Sequence, residues 1–144
     1  MYGVRPANAA DAAALQHIYA SCVGTAGWLP AAARARPDFA LASRGESVHV
    51  ACDANGAVIG FVSIYLPESF LHHLFVLPRR QGQGVGGSLL ASLEAWLAPP
   101  WRLKCVRANR RAHAFYLAKG WRAIGWEESD QGPCALLEWR AGRE

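Results

Sequence analysis

At 144 residues, 52% apolar and 18% charged, the chain has ordinary globular composition and enough length for one core, so disorder is excluded and a single domain over residues 1–144 is predicted. A formal net charge of +4 suits an anionic ligand, but no basic run is interleaved with aromatics, which argues against nucleic acid as a partner. No apolar run of about 18 residues suggests a membrane span, and no leader pattern is seen. Cys22, Cys52, Cys105 and Cys134 show neither C-x-x-C nor Cys/His ligand spacing, so no metal and a reduced, cytoplasmic location are expected.

Residues 2–5 read as a short strand ended by Pro6, and Asn8 or Asp11 can cap the alanine-rich helix that runs to about Ser21. Leu15, Ile18 and Tyr19, at i, i+3 and i+4, give that helix a packing face. Residues 24–29 form a loop, Pro30 opens a second helix and Pro37 limits it, with Trp28 and Phe39 flanking as core residues. Residues 47–52 and 57–65 are β-rich and joined by Asp53-Ala54-Asn55-Gly56, a hairpin signal. Residues 66–69 then turn the chain into a strand over 70–77.

The stretch after that strand organises the chain: Pro78-Arg79-Arg80-Gln81-Gly82-Gln83-Gly84-Val85-Gly86-Gly87 is a basic, glycine-rich turn that opens a helix. Gly82, Gly84, Gly86 and Gly87 are free to take φ > 0, so successive N–H groups can converge on one anion, and the helix N-terminus adds its unpaired donors. Arg79 and Arg80 supply longer-range attraction. A dinucleotide site would need an acidic residue about 20 positions further on, and residues 101–108 hold none. A Walker loop needs Gly-Lys-Ser/Thr, and no lysine precedes Lys104.

The helix is predicted over 85–97, with Val85, Leu89, Leu93, Trp96 and Leu97 as its apolar stripe and Pro99-Pro100 as its stop. Residues 101–107 are the next strand, Asn109 caps a helix through Lys119, and Gly120 ends it. Residues 121–128 and 134–140 close the chain as an antiparallel pair.

Two of these segments together resemble one family. Gln81-x-x-Gly84-x-Gly86, preceded by Leu74-Phe75-Val76-x-Pro78, resembles motif A of the GNAT superfamily of acyl-CoA-dependent N-acetyltransferases. Asn109-x-x-Ala112-x-x-Phe115-Tyr116-x-x-x-Gly120-Trp121 resembles its motif B, and Val4-Arg5-Pro6 with Asp11 to Leu15 resembles the N-terminal strand and helix. Trp121 stands where Phe is usual, and Gly87 where Ser or Thr is common.

The resemblance implies an α/β (α+β) fold: a central mixed, mostly antiparallel sheet of about seven strands flanked by about four helices. It implies acetyl-CoA as donor, with Gln81, Gly82, Gln83, Gly84, Val85, Gly86 and Gly87 around the phosphates, the main chain of Leu74, Phe75 and Val76 along the pantetheine arm, and Asn109 at the cofactor or as a plain helix cap. Tyr116 matches the tyrosine that donates a proton to the coenzyme A sulfur, and a phenol with pKa near 10 is protonated at neutral pH.

Strand alternation predicts that His72 and His73 point to opposite faces. His72 matches a strand histidine of serotonin N-acetyltransferase and is the candidate general base; Glu68 is an alternative. The function implied is direct transfer of an acetyl group to a primary amine of a small molecule or peptide, with a pocket shaped near Trp28 and residues 66–69. A homodimer is common in the family. The competing reading is a non-catalytic acyl-CoA-binding or sensing domain, which needs neither Tyr116 nor His72.

Overall fold

The computed structural model describes residues 2–24 and 37–141. The predicted loop at 24–29, the helix opened by Pro30 and the core role of Trp28 lie outside the described residues, apart from Gly24. Seven strands form one sheet in the order β1-β2-β3-β4-β5-β7-β6: β1 (Gly3–Pro6), β2 (Ser47–Cys52), β3 (Val58–Tyr65), β4 (Phe70–Val76), β5 (Trp101–Val106), β6 (Arg122–Ser129) and β7 (Gly132–Trp139). Helices α1 (Ala12–Gly24), α2 (Phe39–Ala42), α3 (Val85–Leu93) and α4 (Arg110–Ala118) flank it. Every strand pair is antiparallel except β4–β5, which is the mixed sheet expected.

Local chemistry sets most boundaries. Asn8 Oδ1 accepts from the Ala10 N–H while the Asp11 carboxylate accepts from the Asn8 N–H, so both candidate caps act together ahead of α1. Arg5 then clamps Asp11 through two bonds of 2.8 and 2.9 Å. In the β2–β3 hairpin, Asp53 Oδ1 accepts from the N–H groups of Asn55 and Ala57, and Gly56 takes φ 83°.

Strand β3 is buried on both faces from Ile59 to Ile64, since α1 and α3 pack on the sheet there, and so reads as an apolar run broken only by Ser63. Gly60 permits the close approach of α3: a Cβ there would lie 3.1 Å from Val85 Cγ1 and 3.0 Å from the Phe75 carbonyl oxygen. Leu89 and Leu93 of α3 are fully buried.

Helix α3 stops at Leu93, four residues earlier than predicted. Pro99 and Pro100 have no N–H to donate to Ala95 and Trp96, and the Leu97 carbonyl accepts from the Trp101 indole at 2.9 Å instead. Trp96 therefore leaves the apolar stripe and stacks, half-exposed, on His49 with ring centroids 4.5 Å apart.

The β4–β5 junction positions the site. These parallel strands pair only at Phe70↔Arg102 and Leu71↔Leu103 and then diverge, leaving the β5-facing edge of β4 without a ladder partner from His72 onward among the described residues. The glycine-rich turn lies at the open end of this splay, because it follows β4 directly.

Candidate active site

The glycine turn is built as an anion cradle. Gly82 and Gly84 take φ of 78° and 88°, a conformation that side chains rarely adopt, and nothing lies within 4 Å of a Cβ added at either. Gly84 is the N-cap of α3 and no side chain caps that terminus, so its first-turn N–H donors are left for a ligand. Tyr2 pins the loop by donating to the Gln83 carbonyl at 3.0 Å. Arg80 is spent on structure, donating to Gln83 Oε1 at 3.2 Å and pairing with Asp53 at 3.4 Å.

Two expectations about the turn are corrected. Gly86 and Gly87 do not take positive φ, because they already belong to α3. Gly86 is small for packing: its added Cβ would meet the Phe115 ring of α4 at 3.2 Å. Gly87 faces Lys119, whose Nζ would lie 3.1 Å from such a Cβ, so an ammonium stands beside the N-terminal turn of α3. A cation next to a positive helix end is unfavourable without an anion between them. Lys119 was missed because nothing in its spacing links it to a turn 32 positions earlier in the chain.

Along β4, Val76, Phe75 and Leu74 pair with Gly60, Phe61 and Val62 of β3, and their other edge faces the splay. The Val76 carbonyl is already used, accepting from Gln81 Nε2 at 3.0 Å and from Cys22 Sγ at 3.2 Å, so Gln81 braces the strand end. Burial pushes the Cys22 thiol up to about 11.

Helix α4 carries motif B. Asn109 Oδ1 accepts from the Ala112 N–H at 3.2 Å, an N-cap, and Gly120 takes φ 96° while the Trp121 N–H closes on the Tyr116 carbonyl. Tyr116 is 8% exposed and wedged between Phe115 and Trp121, ring centroids 5.2 and 5.5 Å away. Burial, with the Cys105 thiol nearby, raises its phenol well above the ordinary range, so it stays protonated. Cys105, whose thiol acts on that phenol, lies on β5 two residues past the last β4–β5 pair.

His72 and His73 do not point to opposite faces. The β3–β4 register shifts between Ser63↔His73 and Ile64↔Leu71, a bulge that leaves His72 as the extra residue and breaks alternation. The rings lie 4.0 Å apart by centroid, and both approach the carboxylate of Glu46. His72 is half-exposed at the vertex of the splay; His73 is buried among Tyr19, Phe39 and Phe75. Desolvation holds His73 down at about 4, with the neighbouring His72 adding to the shift. Glu46, just ahead of β2, was not foreseen, because only the folded register places it against a residue 26 positions away.

A cleft of about 410 Å³ opens beside His72's neighbour Phe70, lined by Glu68, Phe70, Arg102, Lys104 and Leu136. A larger one of about 640 Å³, between α4 and the β6–β7 hairpin, shares no residue with the turn or β4.

Comparison with known proteins decides the family. The profile of the acetyltransferase (GNAT) family matches residues 12–121. The chain belongs to the GNAT acetyltransferase family. Family membership carries the activity class, N-acetyltransferase, and the donor, acetyl-CoA. Over 106 residues, 63% of this chain and 66% of the relative, the GNAT sequence is 32% identical to an aminoglycoside N(6')-acetyltransferase type 1 of Stenotrophomonas maltophilia; the match thus spans about two thirds of that protein. The fold is shared with apo YjaB of Escherichia coli (TM-score 0.77, 21% identity, 99% of each chain). It is also shared with yncA of Salmonella typhimurium, a putative acetyltransferase solved with acetyl-CoA (TM-score 0.73, 18% identity, 100% of this chain and 96% of that one). Among the described residues no helix is long and apolar enough to cross a membrane.

Proposed function

We propose that this GNAT chain, one domain over residues 1–144, moves the acetyl group of acetyl-CoA directly to a primary amine in the cleft beside His72 and Phe70. The observation that carries the reading is the coincidence of the β4–β5 splay, the uncapped glycine turn at its mouth and Tyr116 at its side. The residues fit the donor: the free N–H groups of the α3 N-terminus, the positive-φ turn at Gly82 and Gly84, and Lys119 suit its phosphates. Leu74 and Phe75 offer an open strand edge for its arm, and Asn109 fixes the start of α4. Bound there, the donor supplies an activated thioester acyl group.

The chain's own groups do the proton work. His72 Nε2, with no hydrogen bond to a described residue, takes the proton of the attacking amine. The Tyr116 hydroxyl gives a proton to the departing thiolate, and burial keeps that hydroxyl protonated at every physiological pH. An unpaired β4 N–H polarises the acyl carbonyl. The cleft lining holds one carboxylate, Glu68, too few for a polycation, so a monoamine or a peptide amine is the acceptor. We place the reaction in a reducing, cytoplasmic setting, which four cysteines outside any disulfide support.

The test is a thiol-release assay with acetyl-CoA against a panel of amino acids, peptides, polyamines and aminoglycosides. Turnover with monoamines or peptides above the polycations is the expected outcome. Tight acetyl-CoA binding without turnover on any amine would favour a sensing domain instead.

A further inference from the structure

The Glu46 carboxylate is buried, its side chain 8% exposed, and a buried carboxylate needs donors. One oxygen, Oε1, accepts from the hydroxyl of Ser63, itself fully buried on β3. The other, Oε2, meets Nδ1 of His72 in a short contact. His73 Nδ1 is 3.7 Å from Oε1 and is a buried atom with no hydrogen-bond partner. An ionised carboxylate only accepts, so the shared proton sits on His72 Nδ1, and the lone pair of that ring sits on Nε2.

We infer that Glu46 is a positioning residue: it holds His72 in the Nδ1–H tautomer with Nε2 turned to the splay, and stabilises the imidazolium that forms when Nε2 takes the amine proton. This rests on the reading of His72 as the general base. In the step, the amine lone pair forms the bond to the acyl carbon, and an N–H bond of the acceptor breaks as an Nε2–H bond forms, its pair staying on nitrogen as the amide lone pair. The C–S bond breaks with its pair leaving on the sulfur that Tyr116 protonates. The Nδ1 proton stays in place and Glu46 stays ionised.

The bulge makes the arrangement: regular alternation would put the two imidazoles on opposite faces, and only one could reach Glu46. His73, kept neutral by its aromatic surroundings, adds no positive charge that would compete for the carboxylate. The charged and titratable groups around the pair are few. Glu46 and His73 face His72 directly, and Tyr19 of α1 packs on His73, with Asp38 near Tyr19. Across the cleft stand Glu68, Arg102 held by Glu138 at 3.0 Å and Lys104 held by Glu127 at 2.7 Å.

Three measurements test this. Long-range nitrogen NMR of the wild-type protein reads the His72 tautomer without any variant: Nδ1–H is expected, and an Nε2–H tautomer would overturn the inference. In Glu46→Gln, an isosteric change that keeps an acceptor and removes the charge, kcat/KM for the amine falls about 10- to 100-fold. The acid limb of its pH–rate profile moves down by about one pH unit, the KM for acetyl-CoA is unchanged, and Glu46→Asp restores part of the profile. An unmoved profile in Glu46→Gln would overturn it. Third, these three side chains offer ligand atoms within 4.8 Å of one another; loss of activity to a chelator and recovery with zinc would show a metal there and overturn the relay. If His72→Ala keeps full activity while NMR still shows Nδ1–H held by Glu46, the fault lies with His72 as base and not with Glu46 as its partner.

Discussion

Tyr116 is the residue at which packing and chemistry separate most cleanly. Its ring fills the space between Phe115 and Trp121, while its hydroxyl has no hydrogen bond to a described residue. Tyr116→Phe keeps the ring and should cost about 1 kcal/mol or less of stability. Turnover should fall by roughly 10²–10⁴-fold with acetyl-CoA affinity nearly unchanged. A single-turnover measurement in which the variant matches wild type would make Tyr116 a packing residue and leave solvent to protonate the thiolate.

His73 gives a second prediction at this scale, with its sign set by burial. Its folded-state value, about 4, lies below the ordinary 6.5, so the unfolded chain binds the proton first as the pH falls. The stability it contributes is complete above about pH 6.5 and is lost between 6.5 and about 4. Asp11, held down at about 2 by Arg5, acts in a lower window, losing its contribution as the pH drops from 3.8 toward 2. Urea midpoints across pH 7 to 4 should therefore fall in the wild type and fall less in His73→Phe. His49, also lowered by burial, leaves some slope in the variant. Equal slopes in both proteins would mean that His73 is not buried in its neutral form.

At the scale of elements, α3 begins where a cap is missing, and that omission is the proposed phosphate site. Gly84→Asp forces a side chain into a φ of 88° and brings a negative charge to the donors, so acetyl-CoA affinity should collapse. Nothing crowds a Cβ there, so the fold should survive; calorimetry finding wild-type affinity in a folded variant would remove the assignment. Lys119→Ala should weaken binding by about three- to tenfold, less at high salt, because the ammonium is exposed. Gly86 behaves differently, since a Cβ there would meet the Phe115 ring of α4. A volume-matched Phe115→Leu should relieve Gly86→Ala, which would separate helix packing from phosphate contact.

Across the whole molecule, the sheet is two blocks, β1–β4 and β5–β7, joined through the β4–β5 ladder at Phe70↔Arg102 and Leu71↔Leu103. A ligand lying in the proposed site between the turn, β4 and α4 would tie the blocks together. Acetyl-CoA at about 100 times its Kd should stabilise the fold by about 2.7 kcal/mol, or roughly 5–10 °C in Tm. Acetate at the same concentration should do nothing. A melting curve that acetyl-CoA leaves unmoved would sink the cradle.

What the sequence determined on its own is whatever is encoded within a few residues. The Asn8–Asp11 capping box, the Asp53–Gly56 hairpin, the positive φ of Gly82 and Gly84, the Asn109 cap and the Gly120 stop are matters of backbone freedom and near-neighbour hydrogen bonds. With two motifs at the right separation, they were enough to read the succession of elements along the chain and the family. Only the tertiary structure decided which residues meet across the sheet. The bulge at His72 depends on the register of β4 against β3, and alternation along one strand cannot foresee it. Glu46, Ser63 and His72 converge from the turn before β2, from β3 and from β4, and Lys119 at the end of α4 reaches Gly87 in the first turn of α3. These are contacts between segments far apart in sequence, and their energies exist only after the chain has closed on itself.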